Sequence, residues 1–554
     1  MNSAAPIPTQ TNSPALLDTA EASVATLITN GIDTLYALPG LHNDPLCDAV
    51  YKRRDEIRLL HARHEQATAY MALGAALSTG RPQAFAAVPG PGFLNTTAAL
   101  LSAEGTCAPV LGIIGQIPQR DIDRNYGHLH EIRDQIGMAA HVAKYARRIR
   151  SAQEAPRVVS EAITAMLSDR PGPAVVEAAL DIWTQRAPFA PTQPIAKADD
   201  DLLDGGAVEH AARLALAAKR PMIVVGGGAL DAAEEVRALA EFLQAPVLSY
   251  RRGRGVIPTD HPLAINLPQG HRLWPQVDLV IAIGTRMFIQ EQQWGMDMDL
   301  RVIRIDADPE APNRHQAPDV AMIGDAAAYT ASLVSALEFG GSPSSACAFD
   351  LEAEAAWLAQ RAAALEPQRS YLNAIRGALP ADGIFVDEVT QVGFASRLLF
   401  PVYKPRDFIS PGYQDNLGWG YGTALGVKAA NPDRSVVAIA GDGGFMYQAG
   451  ELATAAQHNI GLVVVVFDNG MFGNVKRIQQ ERYGNRIIAA DLKSPDFVAL
   501  AESCGVAGYR ADSPAELEKA LGLALERNAP ALIHVRCGEM PSPWDMLLMP
   551  RVRG

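Results

Sequence analysis

The sequence predicts an α/β protein built from three doubly wound domains, each arranged around a parallel sheet. Short apolar runs typical of buried strands alternate with helical stretches along the whole chain. Two segments rich in proline, alanine, glycine or serine, at residues 186–200 and 339–350, divide this alternation into three parts and are interpreted as linkers. Glycine and polar clusters follow several of the apolar runs, at the strand ends where open parallel sheets bind ligands.

Size and composition agree with this fold class. The 554 residues suffice for about three domains, and 48% hydrophobic with 20% charged residues is typical of a globular protein. A net charge of −13 without a basic stripe argues against nucleic-acid binding. The five cysteines lack CxxC spacing, which indicates neither disulfides nor zinc and fits a cytoplasmic location. Residues 1–14 do not resemble a signal peptide and are expected to form a disordered arm, and no apolar run is long enough to span a membrane.

The three domains are expected at residues 15–185, 201–338 and 351–554. In each of them, apolar and β-branched runs mark the strands, and the intervening segments are long enough for helices. The expected strands are Thr34–Leu38, Ala84–Val88, Val110–Gly115 and Ala174–Glu177, then Met222–Val225, Leu279–Ile283 and Val302–Ile305, and finally Ile384–Val389, Val436–Ala440, Leu462–Phe467 and Ala531–Val535.

Residues 435–474 carry the clearest chemical pattern in the chain. They contain a strand, a glycine-rich cluster with Asp442, a helical stretch, a second strand, and a polar cluster with Asn469. Carboxylate and amide oxygens suit Mg²⁺ that bridges to phosphates, and glycines let a large anion approach the backbone. Either cluster alone would be interpreted as an ordinary turn, whereas both at successive strand ends favour a ligand site. The glycines of the first cluster are Gly441, Gly443 and Gly444.

This segment resembles the signature of thiamine-diphosphate-dependent enzymes, in which GDG is followed one strand–helix–strand excursion later by Asn. The resemblance covers about residues 15–545 and is closest to the branch of acetolactate synthase, benzaldehyde lyase and cyclohexane-1,2-dione hydrolase. It implies pyrimidine-binding, central Rossmann-like and diphosphate-binding domains, with thiamine diphosphate and Mg²⁺ as cofactors. The metal ligands it implies are the side chains of Asp442 and Asn469 and the carbonyl of Met471. Asp468 stands where the family usually has Asn.

Glu65 is the candidate activating acid. It lies in the motif RHEQ, after a strand-like run and at the start of a helix, where a glutamate is also favoured by the helix dipole alone. The resemblance implies that Glu65 contacts the aminopyrimidine ring of the cofactor, and burial would raise its pKa for proton exchange with that ring. Acid–base help of this kind contributes roughly 10²–10⁴-fold. In the family this Glu and the diphosphate site come from different subunits, which implies at least a homodimer; homotetramers are common.

The resemblance also assigns the residues around the cofactor. Leu417 takes the position of the bulky residue over which the cofactor bends, and backbone groups of Asp415 and Leu417 would meet the pyrimidine edge. Gln391 lies in the loop that contacts the diphosphate, whereas Val392 stands where relatives often carry His. The glycine-rich stretch around Leu417 is equally typical of a strand-to-helix turn, and the two interpretations are compatible.

Two histidines distinguish this chain from acetolactate synthases. His42, in PGLHND, replaces a small residue of those enzymes, and His130, in HLHE, replaces a Gln. Loop histidines are commonly exposed, but two at pocket positions suggest proton transfer to the substrate, because imidazole titrates near neutrality. Further side chains expected to line the pocket are Phe93, Gln116, Met446, Phe472 and Trp544.

The central domain carries a glycine cluster, Gly226–Gly228, after one strand, and Asp306 and Asp308 after another. This is not the full dinucleotide fingerprint. Relatives carry FAD or ADP here in a structural role, or nothing, and the sequence leaves these three alternatives open.

The function implied is a carbon–carbon bond lyase or ligase of the acetolactate synthase-like type. Its substrates would be small carbonyl compounds: 2-oxo acids, 2-hydroxy ketones or 1,2-diketones. The alternatives are a 2-oxo acid decarboxylase, a flavin-linked 2-oxo acid oxidase, and a cofactor-binding scaffold without turnover. Joint retention of Glu65, Asp442 and Asn469 argues against the scaffold.

Overall fold

The computed structural model describes residues 15–190, 193–195, 203–314 and 316–554. The described residues form two compact units, one made of 15–72, 82–104 and 108–195, the other of 73–81, 105–107 and 203–554. Three six-stranded parallel sheets confirm the predicted fold class, one in the first unit and two in the second. The predicted arm at residues 1–14 lies outside the described residues. None of the described helices combines the length and apolar composition that crossing a bilayer requires.

The first sheet occupies the predicted pyrimidine-binding region. Its elements are β1 (Ala15–Asp18), α1 (Thr19–Thr29), β2 (Thr34–Ala37), α2 (Asp44–Lys52), β3 (Arg58–His61), α3 (Glu65–Thr79), β4 (Gln83–Ala87), α4 (Pro91–Thr106), β5 (Val110–Gln116), α5 (Gln135–Ala139), β6 (Tyr145–Ile149), α6 (Ala155–Leu167), β7 (Ala174–Ala179), α7 (Leu180–Trp183) and β8 (Arg186–Phe189). The strand order is β3-β2-β4-β5-β7-β6. Strands β1 and β8 form a separate antiparallel pair, so the segment expected as a linker begins with a strand.

The second sheet forms the central region. Its elements are α8 (Gly205–Ala217), β9 (Pro221–Val225), α9 (Ala233–Leu243), β10 (Val247–Ser249), β11 (Ala264–Ile265), α10 (Leu267–Leu273), β12 (Leu279–Ile283), β13 (Arg301–Asp306), β14 (Val320–Ile323) and α11 (Ala326–Gly340). The order β11-β10-β9-β12-β13-β14 is the order of Rossmann-type sheets, as predicted.

The third sheet carries the glycine-rich signature. Its elements are α12 (Leu351–Ala362), α13 (Gln368–Ala378), β15 (Ile384–Val386), α14 (Gln391–Leu399), β16 (Phe408–Ile409), α15 (Gly420–Ala430), β17 (Val436–Gly441), α16 (Asp442–Phe445), α17 (Leu452–Gln457), β18 (Val463–Asp468), α18 (Gly473–Arg482), α19 (Phe497–Ser503), β19 (Ala507–Ala511), α20 (Pro514–Glu526), β20 (Ala531–Arg536) and α21 (Trp544–Leu547). The order β16-β15-β17-β18-β20-β19 repeats the order of the first sheet.

In the first sheet, the chain adds successive strands on one side of β2 and then on the other, so the strand order reverses between β2 and β4. The same reversal occurs between β15 and β17 in the third sheet. A crevice opens outside the carboxyl ends of the strands at such a point, which is where open sheets bind ligands. Every predicted strand is present, with ends shifted by no more than three residues. The helix expected after the glycine cluster is divided into α16 and α17, with a 3-10 turn at Ala449–Glu451 between them.

Candidate active site

The third sheet brings together the residues predicted to hold the metal and the diphosphate. Asp442 follows β17 directly, Asn469 follows β18 directly, and Gln391 begins the helix after β15. Strands β15, β17 and β18 are adjacent and parallel, so their carboxyl ends meet at one edge of the sheet. The expected grouping of these side chains at one edge is therefore present.

Asp442 is a buried carboxylate, with 2% of its surface exposed. The Ser494 hydroxyl donates a hydrogen bond to its Oδ2 at 2.9 Å, and no basic side chain in the described part of the chain pairs with it. Burial raises the pKa of Asp442; the Ser494 hydrogen bond opposes this shift and the negative charge of Asp468 adds to it. A buried carboxylate without a cation is costly, and a hard divalent ion is the partner that would compensate it.

The loop after β18 places Asn469 and Met471 beside each other. The Met471 N–H donates to Asn469 Oδ1 at 3.3 Å, across a turn in which Gly470 has φ +66°. Met471 also forms an isolated antiparallel bridge with Asp491, which holds the loop against the following segment. An amide oxygen and a backbone carbonyl in such a turn are both available donor types for Mg²⁺.

The glycine cluster has open space beside its first residue, Gly441. A Cβ placed on Gly441 would have no atom of another residue closer than 3.5 Å, whereas one on Gly443 would lie 2.5 Å from the Phe472 ring. The Oε1 atom of Gln391 is buried and lacks a hydrogen-bond partner among the described residues. The open face at Gly441 and the uncompensated Asp442 together fit a metal-bound diphosphate.

Leu417 lies against the same cluster. Its Cδ2 is 3.7 Å from a Cβ placed on Gly444, and its side chain is half-buried. Asp415 has φ +48° and ion-pairs with Arg397 at 2.6 Å and Arg251 at 2.9 Å. Burial raises the pKa of the Asp415 carboxyl, but the two guanidinium groups outweigh it and hold the pKa below its ordinary value. These ion pairs fix the turn that presents Leu417.

Glu388 lies beside the glycine cluster and was not among the residues singled out from the sequence. Its side chain is fully buried, with Oε2 accepting the Gly420 N–H at 2.9 Å and Oε1 accepting the Val389 N–H at 3.3 Å. The carboxyl carbon lies 3.6 Å from a Cβ placed on Gly444. Burial raises the pKa of Glu388 to about 8, against the lowering effect of the two N–H groups. Glu388 follows the short strand β15, where a charged residue is usually exposed in a loop. Nothing in the neighbouring sequence indicates that its side chain is buried.

Glu388→Gln should remove a pH dependence of folding stability. Because the folded-state pKa of about 8 exceeds the ordinary 4.5, the contribution of Glu388 is fully present below pH 4.5 and is lost as pH rises through 8. Each unit of difference corresponds to about 1.4 kcal/mol. Urea unfolding of both proteins between about pH 5 and about pH 9 measures this loss. Parallel stability curves for the two proteins would contradict the assignment.

The first sheet gathers the other predicted residues at its own carboxyl edge. His42 follows β2, Glu65 follows β3, Phe93 follows β4, Gln116 ends β5, and His130 lies in the connection from β5 to α5. Since parallel strands end on the same side, these residues share one edge of the domain.

Glu65 begins α3 and is partly buried. Its Oε2 accepts a hydrogen bond from the Asn95 amide at 3.0 Å, while Oε1 lies 3.5 Å from a Cβ placed on Gly92. One carboxylate oxygen is therefore held by Asn95, and the other faces Gly92 in the first turn of α4.

His42 and His130 form a stacked pair. Their ring centroids are 5.3 Å apart with an interplanar angle of 30°, and both Nδ1 atoms are buried without a hydrogen-bond partner in the described part of the chain. Burial lowers the pKa of His42, His130 lowers it further, and a hydrogen bond to the Leu129 backbone opposes the shift. Gly90 has φ +58°, and a Cβ there would lie 2.5 Å from the His130 carbonyl oxygen, so glycine is needed for the loop to approach His130.

The remaining pocket candidates lie in different environments. Phe93 is fully buried in its domain, and Gln116 is 1% exposed, with Nε2 3.4 Å from Glu177. In the second unit, Met446 is 47% exposed, Phe472 packs over Gly443, and Trp544 lies 4.7 Å from the Phe394 ring between centroids. Their role in a pocket stays a prediction.

The central glycine cluster has a packing explanation. A Cβ on Gly226 would lie 2.3 Å from the Gly284 carbonyl oxygen, and one on Gly228 would lie 2.8 Å from the Gly284 Cα. Asp306 accepts the Asp308 N–H at 3.0 Å, and Asp308 in turn pairs with Arg314. These contacts account for both motifs without a nucleotide.

Comparisons with known proteins agree with this geometry. Residues 17–138, 208–333 and 388–535 match the N-terminal TPP binding, central and C-terminal TPP binding domains of thiamine pyrophosphate enzymes. The chain is 30% identical to a probable acetolactate synthase large subunit of Methanocaldococcus jannaschii, covering 93% of this chain and 91% of that protein. It is also 30% identical to a probable 2-ketoarginine decarboxylase of Pseudomonas aeruginosa, covering 94% of both.

A solved structure shows the same fold. The thiamine diphosphate-dependent 4-hydroxybenzoylformate decarboxylase of Rhodococcus jostii RHA1 superposes with a TM-score of 0.82 at 23% identity, covering 94% of this chain and 99% of that one. The three matched domains and the full-length relatives settle the family. The chain belongs to the thiamine pyrophosphate enzymes and is an acetolactate synthase-like, thiamine-diphosphate-dependent enzyme that makes or breaks carbon–carbon bonds beside a carbonyl group.

Proposed function

We propose that the carboxyl edge of the third sheet binds Mg²⁺ and the diphosphate of the cofactor. The support is the buried Asp442 without a cation, beside the open face of Gly441. Asn469 and the carbonyl of Met471 complete the protein ligands of the metal. The diphosphate contacts are Gln391, Gly441, Gly443 and Gly444.

The first domain supplies the activating acid. Bound thiamine diphosphate supplies an electron sink for cleaving or forming a bond beside a carbonyl. Glu65 would exchange a proton with the aminopyrimidine ring of the bound cofactor, and its contact with Asn95 keeps the carboxyl in one orientation. Leu417 would pack against the bound cofactor, and the Asp415 turn would hold its pyrimidine end.

The observation that carries the substrate proposal is the stacked pair of His42 and His130. The two imidazoles are adjacent and each has a buried, unpaired Nδ1 among the described residues. Each can therefore take a proton from a substrate oxygen or carbon, or give one to it. Because His42 has a lowered pKa, it is neutral at physiological pH and suits a base. The family resemblance places a small residue and a Gln at these two positions in acetolactate synthases, so we propose a substrate other than a pair of pyruvates: a 2-hydroxy ketone, a 1,2-diketone or a larger 2-oxo acid.

His42→Ala and His130→Ala should each lower kcat by roughly 10²-fold or more, while the dissociation constant of thiamine diphosphate changes little. Steady-state kinetics and calorimetry measure the two quantities. The matched control is His128→Ala, a histidine of the same loop that is 3.2 Å from Asp121 and has no place in the pair. Unchanged turnover of the preferred substrate in both variants would show that the pair has no catalytic role.

A substrate panel tests the reaction class. It contains pyruvate, benzoylformate, 4-hydroxybenzoylformate, 2-ketoarginine, acetoin, benzoin and cyclohexane-1,2-dione, each with thiamine diphosphate and Mg²⁺. Cleavage of a 2-hydroxy ketone or 1,2-diketone, or formation of a coupled product, with CO₂ released when a 2-oxo acid is the donor, supports the lyase or ligase proposal. Release of CO₂ with an aldehyde as the sole product supports simple 2-oxo acid decarboxylation, which the relative from Pseudomonas aeruginosa favours.

The central domain has a separate test. A structural FAD would make the purified protein yellow irrespective of substrate, and a flavin-linked oxidase would be bleached by its 2-oxo acid. ADP would appear in the supernatant after denaturation. The packing of Gly226 and Gly228 against Gly284 means that none of these nucleotides is needed to explain the glycines.

We also propose that the active form is at least a homodimer, with a homotetramer as the common larger form. Tyr413, Met446 and Tyr447 support this, because they are 55%, 47% and 57% exposed near the cofactor-binding turns of the second unit. Aromatic residues and methionine are enriched at protein–protein interfaces. Light scattering of the purified protein measures the assembly.

A cytoplasmic location is proposed on the state of the cysteines. None of the five forms a disulfide in the part of the chain that the structure describes. Unpaired cysteines are typical of proteins in a reducing compartment. Fractionation of the source cells, followed by immunodetection, tests the location.

A further inference from the structure

Asp468, the last residue of β18, makes polar contacts through both of its carboxylate oxygens. It replaces the family's usual Asn at the end of β18. Its Oδ2 lies 3.0 Å from Nε2 of His534, and its Oδ1 accepts the Gly470 N–H at 3.1 Å. The hydroxyl of Ser494 is also 3.1 Å from Oδ1. Both carboxylate oxygens are therefore engaged, each on a different side of the strand end.

Ser494 extends these contacts to the proposed metal ligand. Its hydroxyl lies within hydrogen-bond distance of Asp442 Oδ2, at 2.9 Å, as well as of Asp468. A continuous chain of contacts thus runs from His534 through Asp468 and Ser494 to Asp442. It crosses the three adjacent strands β20, β18 and β17 near their carboxyl ends.

His534 is fixed at the far end of this chain. It is 4% exposed on β20, and its ring packs edge-on against Phe497, with centroids 5.3 Å apart. Phe497 packs in turn against Phe445, the last residue of the helix that starts at Asp442, with centroids 5.8 Å apart. The imidazole cannot turn away without disturbing this aromatic packing, so its N–H stays directed at Asp468.

We propose that His534 is a positioning residue for the metal, acting on Asp442 through Asp468 and Ser494. This inference rests on the metal site proposed above. Groups that hydrogen-bond to a metal-ligating carboxylate fix its orientation, and their loss typically costs 10–100-fold in metal affinity. The chain also explains the departure at position 468: a carboxylate accepts from His534 on one oxygen and from Gly470 on the other, whereas an asparagine has one acceptor oxygen.

The test is the dissociation constant of Mg²⁺ at saturating thiamine diphosphate, measured by calorimetry on the full chain. His534→Leu removes the N–H and should weaken Mg²⁺ binding about tenfold or more. His534→Gln keeps an N–H donor near the same place and should stay within about threefold of the wild type. Ser494→Ala interrupts the chain at a half-buried loop position and should weaken binding like His534→Leu.

A second substitution separates positioning from general loss of packing. Asp468→Asn in the His534→Leu background restores the family's usual residue and removes the carboxylate left without its donor. It should recover Mg²⁺ affinity relative to His534→Leu alone. If His534→Leu acted only by changing the packing around residue 534, the second substitution would not restore affinity. The thermal midpoint of the metal-free proteins is recorded for each variant, so that a variant that fails to fold is recognised, and Ser494→Ala then carries the test.

Two outcomes separate this inference from the site on which it rests. If the wild type binds Mg²⁺ and both His534→Leu and Ser494→Ala bind it equally well, the positioning role is wrong and the metal site stands. If the wild type shows no Mg²⁺-dependent binding of thiamine diphosphate, the metal site itself is wrong and the positioning role is lost with it.

Discussion

Asp442→Ala is expected to abolish Mg²⁺-dependent binding of thiamine diphosphate and, with it, turnover of every substrate. The carboxylate is 2% exposed and has no basic partner in the described residues, so the metal is the only cation that would compensate it. Calorimetry should show at least about 100-fold weaker cofactor binding in the presence of Mg²⁺. Asp442→Asn keeps one oxygen donor and should lose less.

The same substitution has an unusual expected effect on stability. Because it removes a buried, uncompensated carboxylate, the metal-free Asp442→Ala protein should unfold at the same urea concentration as the wild type or at a higher one. The matched control is Asp491→Ala, which removes an exposed carboxylate of the same region that pairs with Lys476. Cofactor binding by Asp442→Ala that equals that of Asp491→Ala would contradict the metal assignment.

Glu65→Gln should lower kcat by roughly 10²–10⁴-fold, while the dissociation constant of thiamine diphosphate changes by only a few-fold. The amide retains the shape of the side chain and the contact with Asn95, but it can no longer exchange a proton with the cofactor ring. Kinetics with the preferred substrate and a cofactor titration measure the two effects separately.

The control for this prediction is Glu56→Gln in the same domain. Glu56 is an exposed carboxylate that pairs with Arg53. It lies before β3, at the opposite end of that strand from Glu65, so its loss should leave turnover unchanged. If Glu65→Gln retained full activity, proton exchange at this position would not be part of the reaction. If instead it lost cofactor binding entirely, Glu65 would act in binding and not in proton transfer.

The sequence was sufficient to predict the interior strands except the three-residue β10 (Val247–Ser249), and the structure shows why some edge strands were missed. Runs such as Val436–Gly441 and Val463–Asp468 lie inside the sheet and are buried except at their last residue, so they are apolar up to that residue. Strands β6 and β19 lie at sheet edges and carry arginine and tyrosine. Edge strands have one unpaired side and tolerate polar residues, so their local composition resembles that of loops.

The candidate site residues likewise include some that the sequence could place and some that it could not. Asp442 and Asn469 lie directly after apolar strands, so the sequence could place them together because topology alone brings strand ends together. Glu388 could not be placed in this way, since its burial depends on the approach of Gly420 and Gly444 from elsewhere in the chain. The contact of Asp468 with His534 likewise joins residues that are far apart in sequence and requires the strand pairing to be known.

The most direct test of the central claim is a calorimetric titration of the purified wild-type chain with thiamine diphosphate, once with Mg²⁺ and once with a chelator. The account predicts saturable binding in the presence of Mg²⁺ and a loss of at least about 100-fold in affinity when the metal is removed. Absence of binding under both conditions, or equal binding under both, would contradict it.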